Sequence, residues 1–231
     1  MIELETPHGP ARAHLHEVDN PRGAVVLGHG AGGGVESPDL RGATTAANTA
    51  GLTVALVEQP YRVAGRRSPA PAKQLDAAWV SVVGQLDFQV PVIVGGRSAG
   101  ARVACRTAAE VGAVAVLCLA FPLEPPRRAG KPPESRLDEL DAVTVPTLVV
   151  QGERDPFGMP PAAPPNRQVV LIPGTHSLRS SAAVAEPVAA WLETVIGPPP
   201  SRSRTRASGS HPAATGPTAS AEDRPRPGGG S

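Results

Sequence analysis

Cysteine is scarce in this chain of 231 residues, which contains only Cys105 and Cys118. Both lie in apolar segments rich in small residues, where a free thiol behaves as a small hydrophobic side chain. We therefore expect two buried free thiols, and we favour them over a disulfide or a metal site.

Long apolar runs are also missing. No stretch approaches the roughly 18 consecutive apolar residues that suggest a membrane-spanning helix, so no membrane association is expected. The N-terminal segment 1–7 lacks the basic start and apolar core of a secretory signal. These absences predict a cytoplasmic protein.

The chain has no large excess of charge of either sign, because its formal net charge is only +1. From Gly197 onward five arginines face two acidic residues, so this tail carries +3 and the preceding residues carry about −2. Such a balance gives no electrostatic reason to expect nucleic acid or an anionic membrane as a partner.

The tail at residues 197–231 differs in composition from the rest of the chain. It opens with consecutive prolines, alternates serine with arginine and closes with consecutive glycines before Ser231. Almost no large apolar side chain is present whose burial would offset the entropy of ordering. We predict that the tail is disordered and follows one α/β domain at residues 1–196.

Strand and helix patterns alternate along that domain. Apolar or alternating runs predict strands at 2–6, 11–17, 24–27, 53–57, 90–95, 113–120, 146–151 and 168–172. Helices are predicted at 38–51, after Ser37 as N-cap, and at 75–86, 99–110, 135–140 and 184–195. Pro187 either kinks the last helix or lies just after its start. The fold class is α/β: a mostly parallel, doubly wound sheet flanked by helices, without a large lid domain.

The segment Gly96–Gly100 has the pattern G-x-S-x-G between a predicted strand and a predicted helix. A turn this sharp forces its serine into a strained backbone conformation and exposes the hydroxyl above the sheet. Gly96 and Gly100 satisfy the requirement for small residues where strand and helix nearly touch. We predict Ser98 as a nucleophile, although a five-residue pattern with two free positions also arises by chance.

A serine nucleophile needs a base and an acid that orients the base. His176 follows the last predicted strand and is our candidate base; His29 precedes the serine, and we expect it to hold its own loop by hydrogen bonds. Asp155 follows the strand before and is our candidate acid, preferred over Glu153, which lies too close to its strand. The order Ser, Asp, His is that of α/β-hydrolases.

Two backbone N–H groups should stabilise the oxyanion. One is that of Ala99, because the N-terminus of the following helix favours negative charge. The other comes from the glycine-rich loop at 28–34, where Ala31 is the first candidate and Gly32 the second.

The same loop supports a rival interpretation. Gly28, Gly30 and Gly33 fit G-x-G-x-x-G after a strand, and Glu58 ends the next strand where a ribose-binding acid would lie. However, the helix that follows starts only at Pro38, and two strands precede the motif. A dinucleotide-binding oxidoreductase would also leave the serine, aspartate and histidine without a role.

Four segments, 27–33, 95–100, 151–158 and 175–177, together resemble the α/β-hydrolase superfamily, over roughly residues 2–196. More narrowly, the sequence is similar to a dienelactone-hydrolase-related branch that includes a testis-expressed protein and a chromatin acetyltransferase complex subunit. Segment 121–126 is a further mark, although Glu124 stands where we would expect a histidine. The resemblance implies the hydrolase fold and no established substrate.

The leading hypothesis is a serine hydrolase that cleaves an ester, thioester or activated amide of a small molecule through an acyl-enzyme on Ser98. No metal or organic cofactor is required, and the sequence does not predict an oligomeric state. Arg97 beside the nucleophile either favours acidic acyl groups or forms a salt bridge with a neighbouring loop. The alternative from another class is a catalytically idle interaction domain with the same fold.

Overall fold

The computed structural model describes residues 1–124 and 134–197, so the predicted disordered tail lies outside the described residues except for Gly197. Within them the strands are β1 (Ile2–Leu4), β2 (Ala11–His16), β3 (Gly23–Gly28), β4 (Leu52–Glu58), β5 (Val92–Arg97), β6 (Ala115–Leu119), β7 (Thr147–Gly152) and β8 (Arg167–Ile172). The helices are α1 (Pro38–Thr49), α2 (Pro60–Val63), α3 (Ala72–Leu86), α4 (Ala99–Thr107), α5 (Leu137–Asp141) and α6 (Ser181–Ile196).

These strands form one sheet in the order β1-β2-β4-β3-β5-β6-β7-β8. The strands from β3 to β8 are parallel, whereas β1 and β2 join one edge in antiparallel pairing. Helices connect most of the parallel strands, because a parallel connection must return across a face of the sheet. The prediction of a mostly parallel, doubly wound sheet is confirmed.

The helices cover both faces of the sheet and bury two apolar cores. Helices α1 and α6 cover one face, while α3 and α4 cover the other. Successive strand residues point to opposite faces, so Val25 and Leu27 enter the first core and Val26 enters the second. This explains why the central strands are apolar at every position rather than at every other one.

Helix α3 turns an apolar stripe toward the second core, and Trp79 in this stripe is fully buried. Cys105 and Cys118 are buried free thiols in the same core, with their sulfur atoms 3.5 Å apart. They therefore occupy core positions, as expected of small hydrophobic side chains.

Several helix ends differ from the predictions. Ser37 is the residue before α1, but its hydroxyl donates to the carboxylate of Asp39 instead of capping the helix. The short helix α2 was not predicted, because the proline that starts it resembled the end of a strand. Helix α6 begins at Ser181, six residues before Pro187, so the alternative that Pro187 lies just after the start is wrong.

In the described ranges, no helix combines the length and apolar character needed to cross a membrane.

Gly42 lets helices α1 and α6 approach each other closely. A Cβ atom at Gly42 would clash with the carbonyl oxygen of Ser181, so replacing it by alanine must push the two helices apart. We expect Gly42→Ala to lower the free energy of unfolding by about 1–3 kcal/mol, as overpacking does. Denaturant unfolding followed by circular dichroism measures the change.

Gly84 in α3 is the matched control. It is exposed, and a Cβ atom there meets no other atom within 4 Å. Gly84→Ala should therefore raise the free energy of unfolding by about 0.5–1 kcal/mol, since alanine restricts the unfolded chain and favours the helix. Equal stabilities of the two variants would contradict this account of the α1–α6 contact.

Candidate active site

Ser98 lies in a sharp turn between β5 and α4. Its backbone φ of 53° and ψ of −108° are unusual for a residue with a side chain and indicate local strain. The N–H group of Ser98 donates to the carbonyl oxygen of Leu119 at 2.9 Å, which ties the turn to the neighbouring strand β6. The hydroxyl is thereby held at the carboxyl end of the parallel strands, the edge where such sheets form ligand crevices.

Close packing against β3 makes this turn possible. A Cβ atom at either Gly96 or Gly100 would clash with the carbonyl oxygen of Gly28 at the end of β3. Gly28 in turn lies so close that its own Cβ would be 3.3 Å from the Cα of Gly100. The prediction that positions 96 and 100 need small residues is therefore explained, because a side chain at either position would collide with the backbone of β3. The same contact holds the loop after β3 beside Ser98.

The structure brings the predicted serine, histidine and aspartate together in one hydrogen-bonded chain. Nε2 of His176 lies 2.9 Å from Oγ of Ser98, and Nδ1 of His176 lies 2.9 Å from Oδ2 of Asp155. An imidazole that carries its proton on Nδ1 donates to the carboxylate and leaves Nε2 free to accept from the serine hydroxyl. This arrangement can remove the serine proton during nucleophilic attack.

The carboxylate of Asp155 is completely buried and firmly held. Its Oδ1 accepts from the N–H of Phe157 at 2.9 Å, and its Oδ2 accepts from the amide of Gln151 at 2.8 Å. Glu153 is exposed, so the acid that faces the imidazole is Asp155. Hydrogen bonds to both oxygens compensate the cost of burying the carboxylate.

Gln151 is a residue of the site that sequence reasoning missed. Besides Asp155, its side-chain amide lies 3.1 Å from the carbonyl oxygens of both Phe121 and Gly158. It therefore joins the loop after β6 to the loop that carries the acid. The only signal in the sequence was a polar residue at the end of an otherwise apolar strand.

Phe157 covers the imidazole, because the ring centroids of Phe157 and His176 lie 4.3 Å apart at an angle of 51°. The carbonyl oxygen of Phe157 accepts from the N–H of Glu124 at 2.7 Å. Since this contact uses only the backbone of Glu124, the glutamate in place of the expected histidine does not disturb it.

Hydrogen bonds fix the backbone of the glycine-rich loop at 28–34. The carbonyl oxygen of Gly30 lies 2.8 Å from Nδ1 of His29 and accepts from the N–H of Gly33 at 3.2 Å. Because the peptide is trans and planar, the N–H of Ala31 points the opposite way. In the part of the chain that the structure describes, this N–H and that of Ala99 have no acceptor, and both residues line a cleft at Ser98.

Two aromatic side chains support this loop. Tyr61 donates to the carbonyl oxygen of Ala31 at 2.9 Å, and burial raises the pKa of Tyr61 to about 12, so that the phenol stays a donor. His29 accepts from the N–H of Gln59 at 3.2 Å, and burial lowers the pKa of His29. His29 thus holds the loop, as expected. Gly32, the second oxyanion candidate, is exposed and does not line the cleft.

Arg97 lies behind the site and not in the cleft. Its Nε is 2.8 Å from Oδ2 of Asp39, whose side chain is 1% exposed, in an ionic contact without hydrogen-bond alignment. A terminal nitrogen of Arg97 donates to the carbonyl oxygen of His176 at 3.2 Å. Of the two alternatives for this residue, the geometry favours the salt bridge.

Residues 21–181 match the family described as alpha/beta hydrolase domain. The chain belongs to this family. No curated protein matches the sequence. The narrower dienelactone-hydrolase-related branch stays a prediction.

Solved structures show the same fold. A lidless α/β serine hydrolase from Xanthomonas campestris is 17% identical, with a TM-score of 0.66 over 84% of this chain and 93% of that one. Est1E from Butyrivibrio proteoclasticus with bound ferulic acid is 18% identical, with a TM-score of 0.66 over 85% and 99%. Dienelactone hydrolase from Anabaena variabilis is 19% identical, with a TM-score of 0.64 over 84% and 96%. The predicted α/β-hydrolase fold is therefore confirmed.

The rival interpretation of the glycine loop finds no support in the geometry. The carboxylate of Glu58, proposed to bind a ribose, instead lies 3.1 Å from Nε2 of His14. Gly28 instead packs against Gly96 and Gly100 in the turn of Ser98.

Arg97 gives a test of how the site is held. Arg97→Gln leaves Asp39 as an unpaired buried charge, and we expect the free energy of unfolding to fall by about 3–5 kcal/mol. The control Arg41→Gln removes an exposed ion pair with Glu36, where the loss should be about 0–1 kcal/mol. Denaturant unfolding measures both. A double variant with Asp39→Asn should recover part of the loss; equal effects of the two single variants would contradict the assignment.

Proposed function

We propose that this protein is a serine hydrolase that cleaves an ester, thioester or activated amide through an acyl-enzyme on Ser98. The observation that carries the proposal is the hydrogen-bonded chain from Ser98 through His176 to Asp155, with 2.9 Å at both contacts. Membership of the hydrolase family supports it.

In the proposed reaction, Oγ of Ser98 attacks the carbonyl carbon while Nε2 of His176 accepts the hydroxyl proton. The carbonyl oxygen becomes an oxyanion that the N–H groups of Ala31 and Ala99 stabilise. When the intermediate collapses, the bond to the leaving group breaks and the imidazolium returns the proton to that group. Water, activated by the same imidazole, then hydrolyses the acyl-enzyme and releases a carboxylic acid.

Asp155 has a supporting role in this scheme. Its buried carboxylate fixes the tautomer of His176 and stabilises the imidazolium that forms beside it. The amide of Gln151 and the N–H of Phe157 fix the carboxylate in turn. The residues that touch the substrate are thus positioned by partners that do not.

The substrate is proposed to be a small molecule, since Ser98 opens into a cleft of about 320 Å³. Pro69 and Pro122 form part of the cleft wall. The proposed chemistry uses only groups of this chain and water.

Covalent labelling tests the nucleophile. A fluorophosphonate probe should modify Ser98 in the folded protein, because the neighbouring imidazole activates the hydroxyl. Ser98→Ala should abolish labelling, whereas Ser177→Ala, an exposed serine in the histidine loop, should leave it unchanged. Peptide mass spectrometry locates the adduct. A folded protein that the probe does not label would favour the idle interaction domain.

Hydrolysis of p-nitrophenyl acetate tests the acid. Asp155→Asn keeps the size of the side chain but places an amide against Nδ1 of His176, which favours the wrong tautomer, so kcat should fall by about 10⁴. Glu153→Gln is the matched control and should retain the wild-type rate. The reverse result, a loss with Glu153→Gln alone, would move the acid to Glu153.

A further inference from the structure

The cleft beside Ser98 has an unusual charge. Among residues 1–124 and 134–197, three arginines line it, namely Arg102, Arg106 and Arg136, and no acidic side chain does. The rest of the wall is apolar apart from Ser98 itself. An apolar cleft that exposes only cations is suited to a ligand with an anionic group.

Two of these arginines form ion pairs with carboxylates that do not line the cleft. Glu139 accepts from Nε of Arg102 at 2.8 Å and from a terminal nitrogen of the same side chain. Asp76 accepts from Nε of Arg106 at 2.9 Å and from a terminal nitrogen at 2.6 Å. Glu139 also contacts Arg106 at 3.1 Å. Two carboxylates thus serve two of the three guanidinium groups.

Arg136 is the third arginine of the cleft wall. Within residues 1–124 and 134–197, no carboxylate lies at ion-pair distance from it, and one terminal nitrogen donates to the carbonyl oxygen of Pro122 at 3.0 Å. Burial and the charge of Arg102 lower the pKa of Arg136, and the more distant carboxylates of Glu139 and Glu134 offset this only in part. An anion in the cleft would relieve the remaining cost of the positive charge.

The position of the cations sets where the anionic group would lie. Arg102 and Arg106 follow Ser98 by four and eight residues along α4, so they start about 6 and 12 Å along the helix axis from it. Glu139 binds both and lies in α5, which begins directly after Arg136. The backbone positions of these two arginines thus lie about one and two turns of α4 beyond Ser98.

We propose that Arg136 binds a carboxylate of the substrate, remote from the scissile bond, so that the enzyme prefers esters or thioesters that carry a carboxylate at their far end. The proposal rests on the hydrolase function proposed above. A guanidinium group binds a carboxylate through two parallel hydrogen bonds, which also fixes the orientation of the substrate. The carboxylate can belong to the acyl chain or to the alcohol, and the experiment separates these two sources.

The experiment compares matched esters at equal chain length. On the acyl side, the p-nitrophenyl half-esters of glutaric and adipic acid are compared with p-nitrophenyl valerate and hexanoate. On the alcohol side, acetate esters of 5-hydroxypentanoic acid and of pentanol are compared by proton release at constant pH. We expect kcat/KM of the wild type to be at least 10-fold higher for the carboxylate ester in one of the two arms.

Arg136→Gln should lower kcat/KM of the preferred carboxylate ester by about 10–100-fold, the effect of a hydrogen-bonded charge pair, and leave the neutral ester unchanged. Arg136→Lys should retain part of the preference, because the charge stays but the paired hydrogen bonds are lost. Arg12→Gln, which removes an equal charge on strand β2, should change neither substrate. Thermal unfolding of each variant shows that it is folded.

Three results would overturn the proposal. One is a wild type without preference for carboxylate esters in either arm. Another is an equal loss on charged and neutral esters in Arg136→Gln, and the third is an equal effect of Arg12→Gln. Failure of the hydrolase function itself looks different, since Ser98 would resist fluorophosphonate and no ester of either charge would be cleaved; the carboxylate preference would then fall with it.

Discussion

Backbone contact at Gly28 is the constraint on which the site depends. Strand β3 and the turn of Ser98 approach so closely that a single Cβ at Gly96 or Gly100 would collide with the Gly28 carbonyl. This contact holds the strained serine in place, and it also brings the loop after β3 beside it. The nucleophile and the candidate oxyanion donors are thus positioned by one close contact between β3 and the turn of Ser98.

The second principle is that the charged side chains around the site have partners that compensate them. Asp155 receives hydrogen bonds on both oxygens, and Asp39 faces Arg97. Glu139 and Asp76, which do not line the cleft, pair with the arginines of α4 that do. In the described residues Arg136 has no carboxylate partner, and it lines the cleft at Ser98. An unbalanced charge in a cleft of this kind is a functional signal, because stability alone would favour its removal.

The parts of the site that could be predicted follow from local pattern and chain order. Ser98 was marked by its glycines, and Asp155 and His176 by their places after successive strands, since a parallel sheet collects such loops at one edge. Gln151 could not be predicted, because a polar residue at the end of an apolar strand does not reveal that its amide reaches Asp155 and the carbonyl oxygen of Phe121. Arg136 could not be predicted, because its place in the cleft wall depends on how α5 packs beside α4. The same holds for the hydroxyl of Ser37, which bonds Asp39 rather than the helix end. The catalytic roles themselves stay predictions.

The most direct measurement is a crystal structure of the protein after reaction with a phosphonate inhibitor. The account predicts phosphorus bonded to Oγ of Ser98, with the phosphonyl oxygen about 2.7–3.1 Å from the N–H groups of Ala31 and Ala99. An adduct on another residue, or a phosphonyl oxygen turned away from both N–H groups, would contradict it.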